Sequence, residues 1–372
     1  MNKHRIWNHP VGLLTLSLTL ALTACGDDSE DGGAGGTGAT GGGGNGAGGD
    51  GAQGGEGAQG AEGGMGGTPN GGGGSGGGAG IEVNEAANDA GEFTAPFDAT
   101  PSPDGANVYF TAYTAGGEPA VFRRAADGSG AIEVLHEGPP LAGPFGIATS
   151  NDGGQLLVAD PAAVVDPMDE GDSTKGLLFT MSSGGGTPTP VMGSAGFEPR
   201  GVEVATDDTV FFTGKDASGV PGVFEVGGSS VSTVLSGSPF VDPSGITIAT
   251  DGRLFIGDTS EGEGLSRILL VDTNDEITVF VDNLTVGYPV GVALSEDESQ
   301  LFVSVIDATT NTSSLAIVDV ATQNVTLFDE GGIGSNDDSA GLHRAKLVDV
   351  FAWASPTAGP SGSGTIYTIT LN

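Results

Sequence analysis

The side chains with chemistry to offer are few. Beyond residue 25 the sequence holds two histidines, His136 and His343, and its one cysteine is Cys25. His343 stands beside Arg344 and, if it faces a cavity, could serve as a general base. His136 falls in a run that reads as an outer strand. Asp160 and Asp258 each close a short apolar run and begin a loop. There they could bind a cation or a polar ligand, or accept backbone N–H bonds as Asp commonly does. Phe145, Arg200, Ser244 and Val290 share one position, since each follows a recurring proline. Catalytic motifs are missing. No Gly-x-Ser-x-Gly follows an apolar run, and neither His-Glu-x-x-His nor a phosphate loop ending in Gly-Lys-Ser/Thr occurs. A single cysteine rules out a disulfide framework and a cysteine-rich metal site. The acidic stretch holding Asp166, Asp169, Glu170 and Asp172 lacks the alternate-position spacing of an EF-hand loop and reads as a solvated insertion.

A repeat must position these residues. Pro96-Phe97-Asp98-Ala99, Pro144-Phe145-Gly146-Ile147, Pro199-Arg200-Gly201-Val202, Pro243-Ser244-Gly245-Ile246 and Pro289-Val290-Gly291-Val292 align, with prolines 48, 55, 44 and 46 residues apart. An acidic or Gly turn follows each, such as Pro103-Asp104-Gly105 or Thr250-Asp251-Gly252. Asp-Gly between apolar runs is a hairpin signal, because Gly supplies the positive φ. Three more runs complete each copy: a continuous apolar one (Leu254-Phe255-Ile256), a third strand (Ile268 to Val271) and an alternating fourth (Ile277-Thr278-Val279). Pro188 and Pro190 in the second copy's fourth run fit an edge strand, where a missing N–H is tolerated. Four antiparallel strands per roughly 48 residues is the arithmetic of a β-propeller blade. A sixth copy, Leu347 to Ala354 and Thr365 to Leu371, lacks a fourth strand, and Ile81-Glu82-Val83 is expected to supply it. The expected fold is therefore all-β, a six-bladed β-propeller of four-stranded antiparallel blades over residues 81–372, closed by an N-terminal strand, with no helix. Inner strands and the loops entering them surround a propeller's channel. The channel mouth is thus expected at Phe97, Phe145, Arg200, Ser244 and Val290, with Leu342 or His343 in sixth place. Phe93, Phe197, Phe240 and Tyr288 recur just before the repeat prolines and either line a binding platform or plug the seams between blades. Trp353 is expected to pack in the last blade.

Residues 1–25 read as a targeting segment. Lys3 and Arg5 precede an uncharged apolar stretch, Val11 to Ala24, that is too short to span a bilayer. Its end, Leu22-Thr23-Ala24-Cys25, resembles the lipobox of bacterial lipoproteins. The resemblance implies lipidation of Cys25 and a membrane anchor, and several acyl chains hold stably where one does not. Gly26, in place of the Asp that retains lipoproteins in the inner membrane, points to the outer membrane or cell surface. Residues 26–80 contain 30 Gly and read as a disordered linker. Such a coil spans about 40 Å.

Pro243-Ser244-Gly245-Ile246 with Thr250-Asp251-Gly252-Arg253-Leu254-Phe255-Ile256-Gly257-Asp258 resembles an NHL-type repeat, as found in six-bladed propellers related to gluconolactonase. That resemblance implies a divalent cation, calcium or another, held by Glu, Asn and Asp near the axis. Ser244 stands where the pattern favours Asn, and no Glu-Gly-Pro-x-Trp start precedes the first copy; Glu137-Gly138-Pro139 lies at the end of it.

Charge narrows the partners. The chain carries 48 Asp and Glu against 11 Lys and Arg, a formal −37. For residues 81–372 the balance is −32. Phosphate backbones are repelled, so nucleic acid is excluded as a default partner. The expected function is a monomeric, membrane-tethered envelope propeller that binds a protein or a glycan without catalysis. The alternative is a divalent-metal-dependent hydrolase of the lactonase or esterase type working in the channel.

Overall fold

The computed structural model describes residues 80–88, 90–165, 175–259, 266–307, 309, 312–328 and 339–371. Cys25, the Gly-rich linker up to residue 79 and the acidic stretch 166–174 lie outside them. Every regular element among the described residues is a strand, and the strands form six four-stranded antiparallel sheets.

Blade 1 comprises Phe93–Pro101, Asn107–Thr114, Pro119–Ala125 and Glu133–Glu137, from the axis outward. Blade 2 is Gly146–Thr149, Gln155–Val164, Lys175–Ser182 and Thr189–Pro190. Blade 3 is Glu198–Val204, Val210–Lys215, Pro221–Gly227 and Ser230–Ser236. Blade 4 is Pro243–Ile248, Leu254–Thr259, Ser266–Val271 and Ile277–Leu284. Blade 5 is Val292–Leu294, Gln300–Asp307, Thr312–Asp319 and Val325–Phe328. Blade 6 is Leu342–Arg344, Val350–Ser355 and Thr365–Leu371, with Ile81–Asn88 as its outermost strand. The expected closure is observed: Ile81 pairs with Leu371 and Val83 with Ile369, and the pairing runs on to Asn88 opposite Thr365.

The turns between inner and second strands follow the sequence signal. Gly105, Gly153 and Gly252 take positive φ there. Where the repeat lacks Gly, Asp208 and Glu298 occupy the left-handed region instead, at φ 68° and 57°. Asp104, Asp152 and Asp297 close their turns by accepting a Ser hydroxyl and a backbone N–H. Those bonds hold the three carboxyls below the usual range.

Large side chains fill the seams between sheets. Phe93, Phe110 and Phe122 pack between blades 6 and 1, Phe197 with Phe212 and Phe224 between blades 2 and 3, and Phe240 between blades 3 and 4. Trp353, Tyr367, Phe302 and Phe351 fill the seam of blades 5 and 6. Each fully buried Phe contributes roughly 1.5–3 kcal/mol relative to exposure. Three of the four pre-proline aromatics therefore plug seams; Tyr288 does not.

Nearer the axis the inner strands meet in cyclic order. The repeat's glycine makes that approach possible. A Cβ on Gly146 would overlap the Arg200 carbonyl oxygen, and one on Gly245 the Val290 carbonyl oxygen. In blade 1 the same position is Asp98 rather than Gly.

Candidate functional site

Three layers cross the axis. At one end, where chain enters each blade, the Phe97 and Phe145 rings lie 5.4 Å apart and Phe145 meets Tyr288 at 5.1 Å. Phe145 enters blade 2 and Tyr288 enters blade 5, on opposite sides of the ring, so their contact spans the channel. Arg200 lies over the Tyr288 ring at 5.2 Å. Asp242 gathers the charges: its Oδ2 accepts the Tyr288 hydroxyl at 3.0 Å and lies 3.4 Å from Arg200 Nη1, while Lys215 Nζ sits 3.5 Å from Oδ1. Phe97, Phe145, Arg200 and Tyr288 are all partly exposed. This end is the entry face.

The middle layer is buried and ionic. His343 Nε2 donates to Asp98 Oδ2 at 3.0 Å and Nδ1 to Glu203 Oε2 at 3.3 Å. Lys346 Nζ binds Glu203 Oε1 and the Val204 carbonyl. Asp98 also accepts the Ala99 and Ile147 N–H groups. Glu203 and His343 belong to blades 3 and 6, so this chain of charges is a strut across the ring. Burial alone would push His343 down, but the Asp98 and Glu203 carboxylates override it and hold the imidazolium up to about 10. Burial would raise Glu203, yet Lys346 and His343 hold it down at about 2. With both ring nitrogens donating, His343 is not a general base at neutral pH.

At the other end the hairpin turns of the inner strands surround a cavity of about 280 Å³. It is lined from blades 2 to 6, with Lys346, Arg344, Thr247 and Glu298 among its walls. This end is the turn face. Size explains why one end is filled and the other open. The residues after the repeat prolines include Phe97, Phe145 and Arg200, whereas the turn-face ends of the inner strands carry Ser102, Ser150, Ala205, Ala249, Ser295 and Ala345.

The sequence-derived candidates divide accordingly. Phe145 and Arg200 stand on the entry face. Ser244 and Val290 do not reach an opening: both are buried, and the Val290 N–H donates to Ser244 Oγ across the seam of blades 4 and 5. Asp160 is fully buried and accepts the N–H groups of Ala142, Gly143, Ala162 and Ala163. Asp258 is likewise buried, accepting from Val241 and Asp242 and pairing with Arg267 at 2.8 Å. Both aspartates clamp loops. The sixth mouth position is Ala340, because Gly341 is the repeat glycine; Leu342 packs in a seam and His343 lies in mid-channel, not at the mouth. Sequence reasoning missed Asp98, Glu203 and Lys346. Asp98 had a visible signal, being the one acid at the repeat's Gly position.

The channel residues fit a hard cation poorly. Such an ion gathers several oxygen ligands. Here Asp242 is held by Tyr288, Arg200 and Lys215, Ser244 Oγ is committed to a backbone N–H, and Asp98 is committed to His343. Among the described residues no three His, Cys, Asp or Glu side chains converge on one point.

No family model and no curated protein matches the chain. Solved structures do. XC5397 from Xanthomonas campestris, described as a gluconolactonase, aligns over 78% of this chain and 90% of its own at 12% identity, with a TM-score of 0.54. A protein of unknown function from Bacteroides thetaiotaomicron covers 79% and 76% at 12% identity, with a TM-score of 0.54. TolB from Acinetobacter baumannii aligns over 64% of this chain and 55% of its own, at 16% identity and a TM-score of 0.49. At such identities the likeness is one of fold: a six-bladed propeller of the kind that gluconolactonases use.

Proposed function

We propose that this chain is a non-catalytic binding module of the cell envelope, anchored by lipid on Cys25 and held off the membrane by its Gly-rich linker. Its ligand, an envelope protein or a glycan, docks on the entry face over Phe97, Phe145, Tyr288 and Arg200. One observation carries this reading. The groups that could do chemistry are spent on structure, while partly exposed aromatic rings and a cation remain on that face. Aromatic residues and Arg are the usual anchors of binding surfaces. Propellers host both enzymes and scaffolds, so the argument rests on the site and not on the fold.

The test is capture from envelope extracts with the full-length protein, comparing wild type with Phe145→Ala and Arg200→Ala. A specific partner retained by wild type and lost by both variants supports the reading, and protease treatment of the extract separates protein from glycan. Capture unchanged by either variant overturns it. Cys25→Ala is expected to abolish acyl labelling and move the protein to the soluble fraction. Metal analysis and a lactone-hydrolysis assay on the same preparation test the hydrolase alternative. Stoichiometric divalent metal together with turnover would replace the binding reading.

A further inference from the structure

We propose that the turn-face cavity is a second binding site, for a small amphipathic carboxylate. Its volume of about 280 Å³ equals that of about nine waters in the liquid. A ligand the size of a substituted benzoate fits such a space.

The hydrogen-bonding capacity left over in the walls defines the ligand. The carboxylate of Glu203 is engaged within the protein by Lys346, His343 and the Val204 N–H, and Glu298 is engaged through Oε1, which accepts the Thr250 N–H at 2.6 Å. Arg344 is not saturated. Its guanidinium carries five N–H donors in a planar fork. Among the described residues its one hydrogen bond is from Nη1 to the Val348 carbonyl, at 3.4 Å. Lys346, two residues on, spends its ammonium on Glu203 and the Val204 carbonyl. The walls thus keep donors to spare, concentrated on one guanidinium whose geometry matches a carboxylate. The domain has only nine Lys and Arg, and two of them line this cavity. The ligand's body finds apolar surface in the 64% exposed Leu347, and Leu294 and Thr247 complete the lining.

The site shares no residue with the entry face, so its success or failure is separate from the function proposed above. The experiment titrates the full-length protein with 4-hydroxybenzoate and with 4-hydroxybenzamide, which has the same shape and no charge. Saturable binding of the benzoate is expected, about tenfold weaker for the benzamide and weakened by a similar factor in Arg344→Gln, as expected when one guanidinium–carboxylate pair is lost. Arg344→Lys should restore part of the affinity, since a point charge replaces the fork. Leu347→Trp, at an exposed position, supplies a variant that folds regardless: it should report the benzoate by a fluorescence change that the benzamide does not cause. Equal affinity for both probes, benzoate binding unchanged in Arg344→Gln, or no saturation of wild type and no signal from Leu347→Trp at about 10 mM would each overturn the proposal.

Discussion

The two ends of the axis are built from the same repeat and come out opposite. On the entry face the residue after each proline is often large, and rings from blades 1, 2 and 5 touch across the channel. On the turn face Ser and Ala occupy the inner-strand ends, and a cavity of about 280 Å³ remains. The backbone repeat sets where the axis lies; side-chain volume at two positions per blade decides which end is filled. Between them, the Asp98–His343–Glu203–Lys346 strut ties blades 1, 3 and 6 together and separates the ends.

The largest expected effect comes from cutting that strut. His343→Leu leaves Asp98 and Glu203 buried without their shared partner, and breaking a buried ion pair from one side costs about 3–5 kcal/mol. Denaturant unfolding of the variant should show it. Asp98→Asn combined with His343→Gln should cost clearly less, since fewer charges are stranded. If single and double variants lost the same, the strut would be merely a packing feature.

Next in size is a pH dependence with a defined sign. His343 is raised from 6.5 to about 10, so its contribution is complete below pH 6.5 and is lost as pH climbs towards 10. Glu203 is lowered from 4.5 to about 2, so its contribution is complete above pH 4.5 and is lost as pH falls towards 2. The stability gap between wild type and His343→Gln should therefore be widest between these limits, near pH 5 to 6, and shrink by pH 9. Thermal unfolding at these pH values checks it, and a gap that widened above pH 7 would refute the assignment of an imidazolium.

Smaller effects distinguish the ends directly. Phe145→Ala removes ring contacts with Phe97 and Tyr288 at a half-buried position and should cost about 1–3 kcal/mol, below the cost of a fully buried Phe. Leu347→Ala, on the turn face, should stay within about 0.5 kcal/mol. Comparable losses at both positions would mean that the turn face is as tightly packed as the entry face.

The fold was legible because several signals agree from copy to copy. Pro-x-Gly opens the inner strand in blades 2 to 5, with Asp98 in place of the Gly in blade 1 and Ser339 in place of the Pro in blade 6, and an apolar run buried in each blade follows. Ile81-Glu82-Val83 was legible as the missing strand because only one copy lacked an edge. The site was harder to read, for a geometric reason. A residue after the proline lies near the axis, but whether it faces solvent depends on what packs against it. Ser244 and Val290 turn into a seam, where Phe145 and Arg200 do not. Asp160 and Asp258 occupy equivalent strand ends, and their carboxylates serve the loops beside them. Lys346 reaches across from blade 6 to blade 3, a pairing of residues 143 apart that no local pattern encodes.

The pairing of Ile81 with Leu371 makes ring closure a contact between the two ends of the propeller segment. Five sheets can form from contiguous stretches of chain, while Ile81–Asn88 has no edge to join until Thr365–Leu371 is in place. A chain cut before Thr365 would keep an open flank on its sixth sheet.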